Sequence, residues 1–313
     1  MKIKNITVIG AGTMGHGIAQ LCAESGLKVK IYDISIENLN LGFKNIKKNL
    51  SMLVHNGKLT EAKSEDILKR ISLVSVLKDA VSDAQLVIEC IAENLVIKQK
   101  VHGDIDSLCD PSVILASNTS GLSPTEISKY LKHPERMVIA HFWCPPELIP
   151  LVEVVPGEKT SKEVVQRTAE WITSIGKKPV KMKKECLGFI GNRMQLALLR
   201  EAMYIVEQGF ADIEEVDKAV EYGLGRRLPV TGPLCSADLG GLDIFNNIST
   251  YLFKDLCNSA EPSKLLKDKV EAGNLGSKSG KGFYDWTAES LEKKQNERVE
   301  TLLDFLKKDE KNK

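Results

Sequence analysis

Short apolar runs alternate with longer segments of mixed polarity through the first half of the chain. Ile6-Thr7-Val8-Ile9, Val29 to Tyr32, Leu86 to Cys90, Val113-Ile114-Leu115-Ala116, Met137 to Ala140 and Leu151 to Val155 are β-prone and predict strands. Gly17 to Ser25 has helical composition and stops at Gly26. Residues 35–70, rich in lysine and broken near Asn56-Gly57, predict a helical hairpin (about 36–70) projecting from the sheet. Strands alternating with helices predict an α/β domain built on a parallel, doubly wound sheet.

The pattern changes after Val180. From Gly191 the apolar spacing is helical, through Met194, Leu196, Leu198, Leu199, Ala202, Ile205 and Val206, and stops at Gly209. Ala211-Asp212 starts another helix carrying Ile213, Val216, Ala219 and Val220. With no strong strand beyond, a C-terminal all-α domain is expected, the boundary falling near residues 184–190. The expected division is 1–186, 187–290 and a charged tail at 291–313, the last read as a solvated helix ending in Lys307-Lys308-Asp309-Glu310-Lys311.

Composition narrows the function classes. The 313 residues are 42% hydrophobic and 27% charged, ordinary for a globular protein of two domains. The net charge of +1 gives no argument for a nucleic-acid or membrane-surface partner. The cysteines at 22, 90, 109, 144, 186, 235 and 257 form no C-x-x-C pair, so neither a disulfide framework nor a structural metal is expected. Met1 to Val8 lacks a basic segment followed by a long apolar one, and no apolar run approaches a membrane span. The chain therefore reads as cytoplasmic.

Gly10-Ala11-Gly12-Thr13-Met14-Gly15 is a G-x-G-x-x-G placed between a strand and a helix. Gly10 permits the tight turn, Gly12 lets backbone approach a pyrophosphate, and Gly15 lets helix pack close to strand. Asp33, at the end of the second strand, can accept hydrogen bonds from ribose hydroxyls and repels the extra phosphate of NADP. NAD is the expected cofactor; a flavin uses the same fingerprint, and a plain glycine-rich turn with a capping Asp is the bland alternative.

Among the histidines at 16, 55, 102, 133 and 141, only His141 sits at the end of an apolar strand, where open α/β sheets form their ligand crevice. His16 and His102 read as helical, His55 lies beside a turn and His133 precedes a proline. An imidazole at such a place exchanges protons at neutral pH. Glu153, within Leu151 to Val155, is costly to bury without a partner, and an imidazole is a natural one. The alternative is an edge-strand Glu facing water and a His satisfied by backbone. Ser117-Asn118-Thr119-Ser120 follows another strand end and Asn192-Arg193 opens the first helix of the second domain; turn formation and capping are their default readings.

Taken together, these residues resemble the L-3-hydroxyacyl-CoA dehydrogenase family. The resemblance rests on the Gly10 to Gly15 loop, Glu93-Asn94-Leu95, Ser117 to Ser120, His141-Phe142, Leu151 to Val155, Gly188-Phe189-Ile190-Gly191-Asn192-Arg193 and Gly280-Lys281-Gly282-Phe283-Tyr284, in the family's order over roughly residues 4–286. It implies a Rossmann-type N-terminal domain and NAD-dependent, reversible oxidation of a 3-hydroxyacyl-CoA. It further implies His141 as general base, Glu153 as its support, and Ser120 and Asn192 around the substrate oxygen and nicotinamide. By the same resemblance Glu93, Lys98 and Lys278 contact the cofactor. A homodimer through the helical domain follows from it as well.

The chain also departs from the family pattern. Phe142-Trp143-Cys144-Pro145 stands where the family continues Phe-Asn-Pro, which puts Cys144 in the place of a nicotinamide contact. Asn49, Asn56 and Lys58 fall where the family holds CoA. Pro145-Pro146, Asn192-Arg193-Met194-Gln195 and Gly223-Leu224-Gly225-Arg226-Arg227 look more like the lambda-crystallin (L-gulonate 3-dehydrogenase) branch, which oxidises a free 3-hydroxy acid. Carnitine dehydrogenase is another relative with a non-CoA substrate. Arg226-Arg227, before the Leu228-Pro229 break, suits a substrate carboxylate, or forms a surface helix-end pair. The rival from another class is a non-catalytic NAD-binding crystallin-like or sensor protein.

Overall fold

The computed structural model describes residues 3–311; Met1, Lys2, Asn312 and Lys313, the extreme ends of the expected first domain and tail, lie outside the described residues. The chain divides into two compact units, residues up to Ile190 joined by those from Val299, and Gly191–Arg298.

The first unit is built on β1 (Asn5–Ile9), β2 (Lys28–Tyr32), β3 (Ile71–Val74), β4 (Leu86–Glu89), β5 (Ile114–Ser117), β6 (Met137–Phe142), β7 (Leu151–Pro156) and β8 (Lys178–Lys181). They form a single sheet in the order β3-β2-β1-β4-β5-β6-β7-β8. The order reverses between β1 and β4, so a crevice opens at the carboxyl ends of those strands. Helices α1 (Thr13–Glu24), α2 (Ile36–His55), α3 (Glu61–Lys69), α4 (Leu77–Val81), α5 (Leu95–Leu108), α6 (Pro124–Ile127) and α7 (Lys162–Ser174) complete the unit. Side-chain caps start several of them: Ser35, Asn94 and Ser161 accept from backbone N–H groups of α2, α5 and α7. By contrast α1 starts at Gly12 with no side-chain cap, leaving its first N–H groups for another acceptor.

The period of two along the strands builds two core layers. Ile6, Val8, Ile88, Ala140, Val152 and Val154 pack with Ile18, Leu39, Ile46 and Trp171 on one face. Ile9, Val87, Leu115, Ile139 and Val155 pack with Ala80, Ile105, Ile127 and Phe189 on the other.

The sheet departs from the sequence expectation in three places. β3 and β8 were not predicted: β3 exposes Ser72 and Leu73, and β8 is Lys-Pro-Val-Lys, so neither edge strand shows an apolar run. The sheet is not wholly parallel, because β7 runs antiparallel to β6. The connection 143–150 is too short for the crossover that a parallel return needs.

The second unit is helical: α8 (Gly191–Glu207), α9 (Ile213–Ala219), α10 (Gly225–Gly240), α11 (Leu242–Leu252), α12 (Lys264–Glu271) and the start of α13 (Ala288–Lys311). A π-helical turn, Val220–Leu224, joins α9 to α10. The break expected at Leu228-Pro229 falls instead at Gly232, with φ of 64°. Glycine enters that left-handed region without steric cost, whereas the leucine before Pro229 does not. Among the described residues, no helix is long and apolar enough to cross a membrane, and no group of side chains is arranged to hold a metal ion.

Candidate active site and cofactor crevice

The antiparallel turn between β6 and β7 sets His141 directly opposite Glu153. Residues paired across two strands point to the same face, so acid and base meet without any loop to position them. His141 Nδ1 lies 2.8 Å from Glu153 Oε2. Both are shut away from water, at 5% and 0% exposure, which makes the partnership obligatory for the carboxylate. A carboxylate accepts, so the Nδ1 proton points to Glu153, and in the neutral imidazole the lone pair is then on Nε2.

Two more donors hold the same carboxylate. Ile190 N–H donates to Oε1 at 2.9 Å, and Trp143 Nε1 donates to Oε2 at 3.3 Å. Ile190 is delivered by an unusual turn in which Gly188 and Phe189 both take positive φ, 74° and 51°. For phenylalanine this costs about 1–3 kcal/mol, tolerated because the ring is 1% exposed and packs 5.6 Å from the His141 ring. The Trp143 ring stands 5.8 Å from the same imidazole. The Asn118 side chain accepts from Phe142 N–H at 2.8 Å, tying the strand end of β5 to that of β6.

The glycine loop lies at the crevice. Gly10 takes φ of 99°, and a Cβ there would stand 2.8 Å from the Cys90 carbonyl oxygen. At Gly15 a Cβ would come within 1.8 Å of the Gly10 carbonyl oxygen, so helix and turn touch through backbone alone. Around Gly12 nothing lies within 4 Å of a built Cβ, and Thr13 is exposed with Met14 half-buried behind it. This open mouth before an uncapped helix N-terminus is the shape and polarity that a pyrophosphate requires. Asp33 Oδ2 accepts from Ala11 N–H at 2.9 Å and Oδ1 from Ser35 N–H at 3.0 Å, holding a half-buried carboxylate beside the loop. The residues present fit a dinucleotide.

Two family profiles match the chain: the NAD binding domain of 3-hydroxyacyl-CoA dehydrogenase over residues 5–186 and its C-terminal domain over 188–286. The chain belongs to the 3-hydroxyacyl-CoA dehydrogenase family. It is 38% identical over 305 residues to 5-formyl-3-hydroxy-2-methylpyridine 4-carboxylate 5-dehydrogenase of Mesorhizobium japonicum, covering 96% of each chain. It is 36% identical over 286 residues to 3-hydroxybutyryl-CoA dehydrogenase of Mycobacterium tuberculosis, covering 91% of this chain and 99% of that one. The human lambda-crystallin homolog is 36% identical over 247 residues, 79% of this chain and 77% of that one. A crystal structure of the pyridine carboxylate 5-dehydrogenase, described as an NAD+-dependent dismutase, matches with a TM-score of 0.88 over 96% of both chains. The protein is an oxidoreductase acting on CH–OH groups, and NAD is its cofactor.

The remaining expected site residues divide between the two units. In the first unit Glu93 is half-exposed and its Oε1 accepts from Thr119 Oγ1 and, at 3.1 Å, from Ser120 N–H, so the 90–94 and 117–121 loops are joined. Lys98 points inward at 1% exposure, its Nζ 2.7 Å from Glu89 Oε1 and 3.4 Å from Glu93 Oε2. Cys144 is exposed. Asn49 Nδ2 donates to Gln20 Oε1 at 3.1 Å, Asn56 ends α2, and Lys58 is exposed beyond it. In the second unit Asn192 opens α8 and Lys278 is exposed between Gly276 and Lys281. Arg226 Nε donates to the Glu221 carbonyl at 3.1 Å and stacks on Tyr222, while Arg226 and Arg227 line an open pocket of about 390 Å³. The pair stands at the start of α10, where the helix dipole opposes rather than favours cations.

Sequence reasoning missed Trp143 and the Phe189-Ile190 turn as parts of the acid–base site, and it missed a second buried cluster altogether. Glu89, at the end of β4, is fully buried and accepts from Ile91 N–H, Lys98 Nζ and Ser117 Oγ, each at 2.7 Å. Desolvation pushes its pKa up, but His102 and Lys98 outweigh that and bring it down to about 2. His102 Nε2 lies 3.5 Å from Glu89 Oε2, and neither ring nitrogen has a hydrogen-bond partner among the described residues. The signal was available: Lys98 and His102 are four apart, on one face of α5.

Proposed function

We propose that the protein oxidises the 3-hydroxyl of an L-3-hydroxyacyl-CoA to the 3-keto form, reversibly, with His141 taking the hydroxyl proton. The observation that carries this reading is the buried His141–Glu153 pair, 2.8 Å apart, in the sheet whose switch point carries the dinucleotide loop. NAD, when bound, supplies the acceptor for the hydride leaving C3. The chain's own work is positional and electrostatic. Glu153 fixes the Nδ1–H tautomer, so Nε2 is the nitrogen that receives the proton, and its charge stabilises the imidazolium that results. In this reading Ser120 and Asn192 hold the substrate oxygen and the nicotinamide side. Gly10, Gly12, Thr13, Met14, Gly15 and Asp33 hold the adenine-dinucleotide half, Glu93, Cys144 and Lys278 serve the cofactor, and Lys98, buried against Glu89, serves it through Glu93.

Residues 1–186 serve as the NAD domain and 187–290 as the substrate and dimerisation domain, followed by the tail from 291. A homodimer is supported by the second unit's surface: Val230, Leu234, Leu239 and Phe253 are each at least 70% exposed, the kind of apolar side chain that an interface buries. The seven cysteines are all free, which favours a reducing compartment such as the cytoplasm.

A second reading, a substrate with a free carboxylate, is favoured by the Arg226–Arg227 pocket with its Thr231 and Ser236 hydroxyls. The first relative described above acts, by its name, on a pyridine carboxylate. NADH oxidation with acetoacetyl-CoA and free acetoacetate, run side by side, separates the two. Turnover of the thioester alone supports the first reading; failure on the thioester contradicts it and turns the search to free hydroxy acids.

A further inference from the structure

We infer that Trp143 is a positioning residue of the acid–base pair, sharing Glu153 Oε2 with His141 and thereby moderating how strongly the carboxylate supports the imidazolium. The inference rests on the reading of His141 as the base. Its geometry is local to one strand pair. Trp143 Nε1 donates to the oxygen that already accepts from His141 Nδ1, at 3.3 Å and 2.8 Å. The indole is half-buried, and its ring stands 5.8 Å from the imidazole at a tilt of 50°. On the far side Phe189 closes the ring in at 5.6 Å, and Ile190 N–H occupies the other carboxylate oxygen. The Glu153 carboxylate is thus held at both oxygens and the imidazole is bracketed by two aromatic rings.

An oxygen that accepts two hydrogen bonds offers each donor less charge than one that accepts a single bond. Removing the indole N–H therefore leaves Glu153 Oε2 more negative toward His141, and the imidazolium gains. A phenylalanine at this position has nothing to donate, so the effect belongs to the tryptophan of this chain. Charged or titratable groups on the surrounding elements include Lys178 and Lys181 on β8, whose Val180 lies opposite Glu153, Lys183, Lys184, Glu185 and Cys186 in the segment before Phe189, and Cys144 and Glu147 after Trp143. Across β5 stands Glu89 on β4. All of these are the same in the variants compared below.

The test is an NMR titration of the His141 imidazole in the full chain without substrate, the resonance assigned by its loss in His141→Gln. Trp143→Phe keeps an aromatic ring and removes the donor. Its His141 pKa should rise by about half a unit. In a Glu153→Gln background, where the carboxylate charge is gone, adding Trp143→Phe should leave that pKa unchanged. With acetoacetyl-CoA, Trp143→Phe should lower kcat about threefold while NADH affinity stays within about twofold. An unchanged pKa in Trp143→Phe, or an equal shift in both backgrounds, overturns the inference. Full turnover by His141→Gln would instead overturn the reading of the base, and the titration would still decide the role of Trp143.

Discussion

Two glutamates are buried in this sheet, each beside a histidine, and they do opposite jobs. Glu153 stands near the start of β7 with its carboxylate on His141 Nδ1, which leaves Nε2 outside that contact. Glu89 stands at the end of β4, where Lys98, Ser117 and the Ile91 N–H converge on it, and its neighbour His102 is 0% exposed. The first pair has a group left over for chemistry. The second has none: its acid is satisfied from inside, and its histidine is sealed off. Burial of a histidine next to an acid is therefore not the mark of a catalytic pair; what distinguishes them is the strand end that presents His141, whereas His102 lies within helix α5 at 0% exposure. The Glu89 cluster still serves the site indirectly, since it anchors the starts of the two loops that carry Glu93 and Ser120.

The contrast can be broken most sharply by Glu89→Gln, which leaves Lys98 buried with its main counter-charge removed. Breaking a buried pair in this way should cost about 3–5 kcal/mol of stability in urea unfolding. Glu153→Gln, whose histidine partner can remain neutral, should cost far less stability but lower turnover about a hundredfold. Equal stability losses in the two variants would show that the clusters are not different in kind.

Acid should reveal the same asymmetry. Glu89 has a folded-state pKa below its unfolded value, so its stabilisation is complete above the ordinary carboxylate range and is lost as pH falls toward about 2. The stability linked to this group over that window is about 3 kcal/mol. Unfolding midpoints measured between pH 6 and pH 3 should fall less steeply in Glu89→Gln than in the wild type. Parallel pH profiles would mean that Glu89 titrates no differently folded or unfolded.

The smallest effect is expected at His102. His102 shares with Lys98 in lowering the Glu89 pKa, so His102→Phe should cost part of that stability, about 1–2 kcal/mol, and change kcat by less than about twofold. Unchanged stability in His102→Phe would show that His102 lends Glu89 no support and that Lys98 holds the carboxylate alone.

The sequence made some of this legible and not the rest, for physical reasons. The glycine loop and Asp33 were readable because backbone approach and a left-handed turn admit few residues other than glycine. His141 and Glu153 were each readable as polar residues in apolar strands. Their exact opposition was not, because it depends on β7 running antiparallel, and a strand's own sequence does not state its direction. Trp143 and Ile190 act through an indole N–H and a backbone N–H, groups without a sequence signature of function. Lys98 was readable as a family position but not as a buried partner of Glu89, which lies on a different element. Edge strands β3 and β8 lacked apolar runs, since one face or the strand ends meet solvent.

The most direct test of the central claim is His141→Gln, assayed for NADH-linked turnover of acetoacetyl-CoA and, separately, for NADH binding by fluorescence. If His141 carries the proton, turnover should fall about a thousandfold or more while NADH affinity stays within about twofold of the wild type. Turnover within about tenfold of the wild type, with binding intact, would contradict the account and remove His141 from the chemistry.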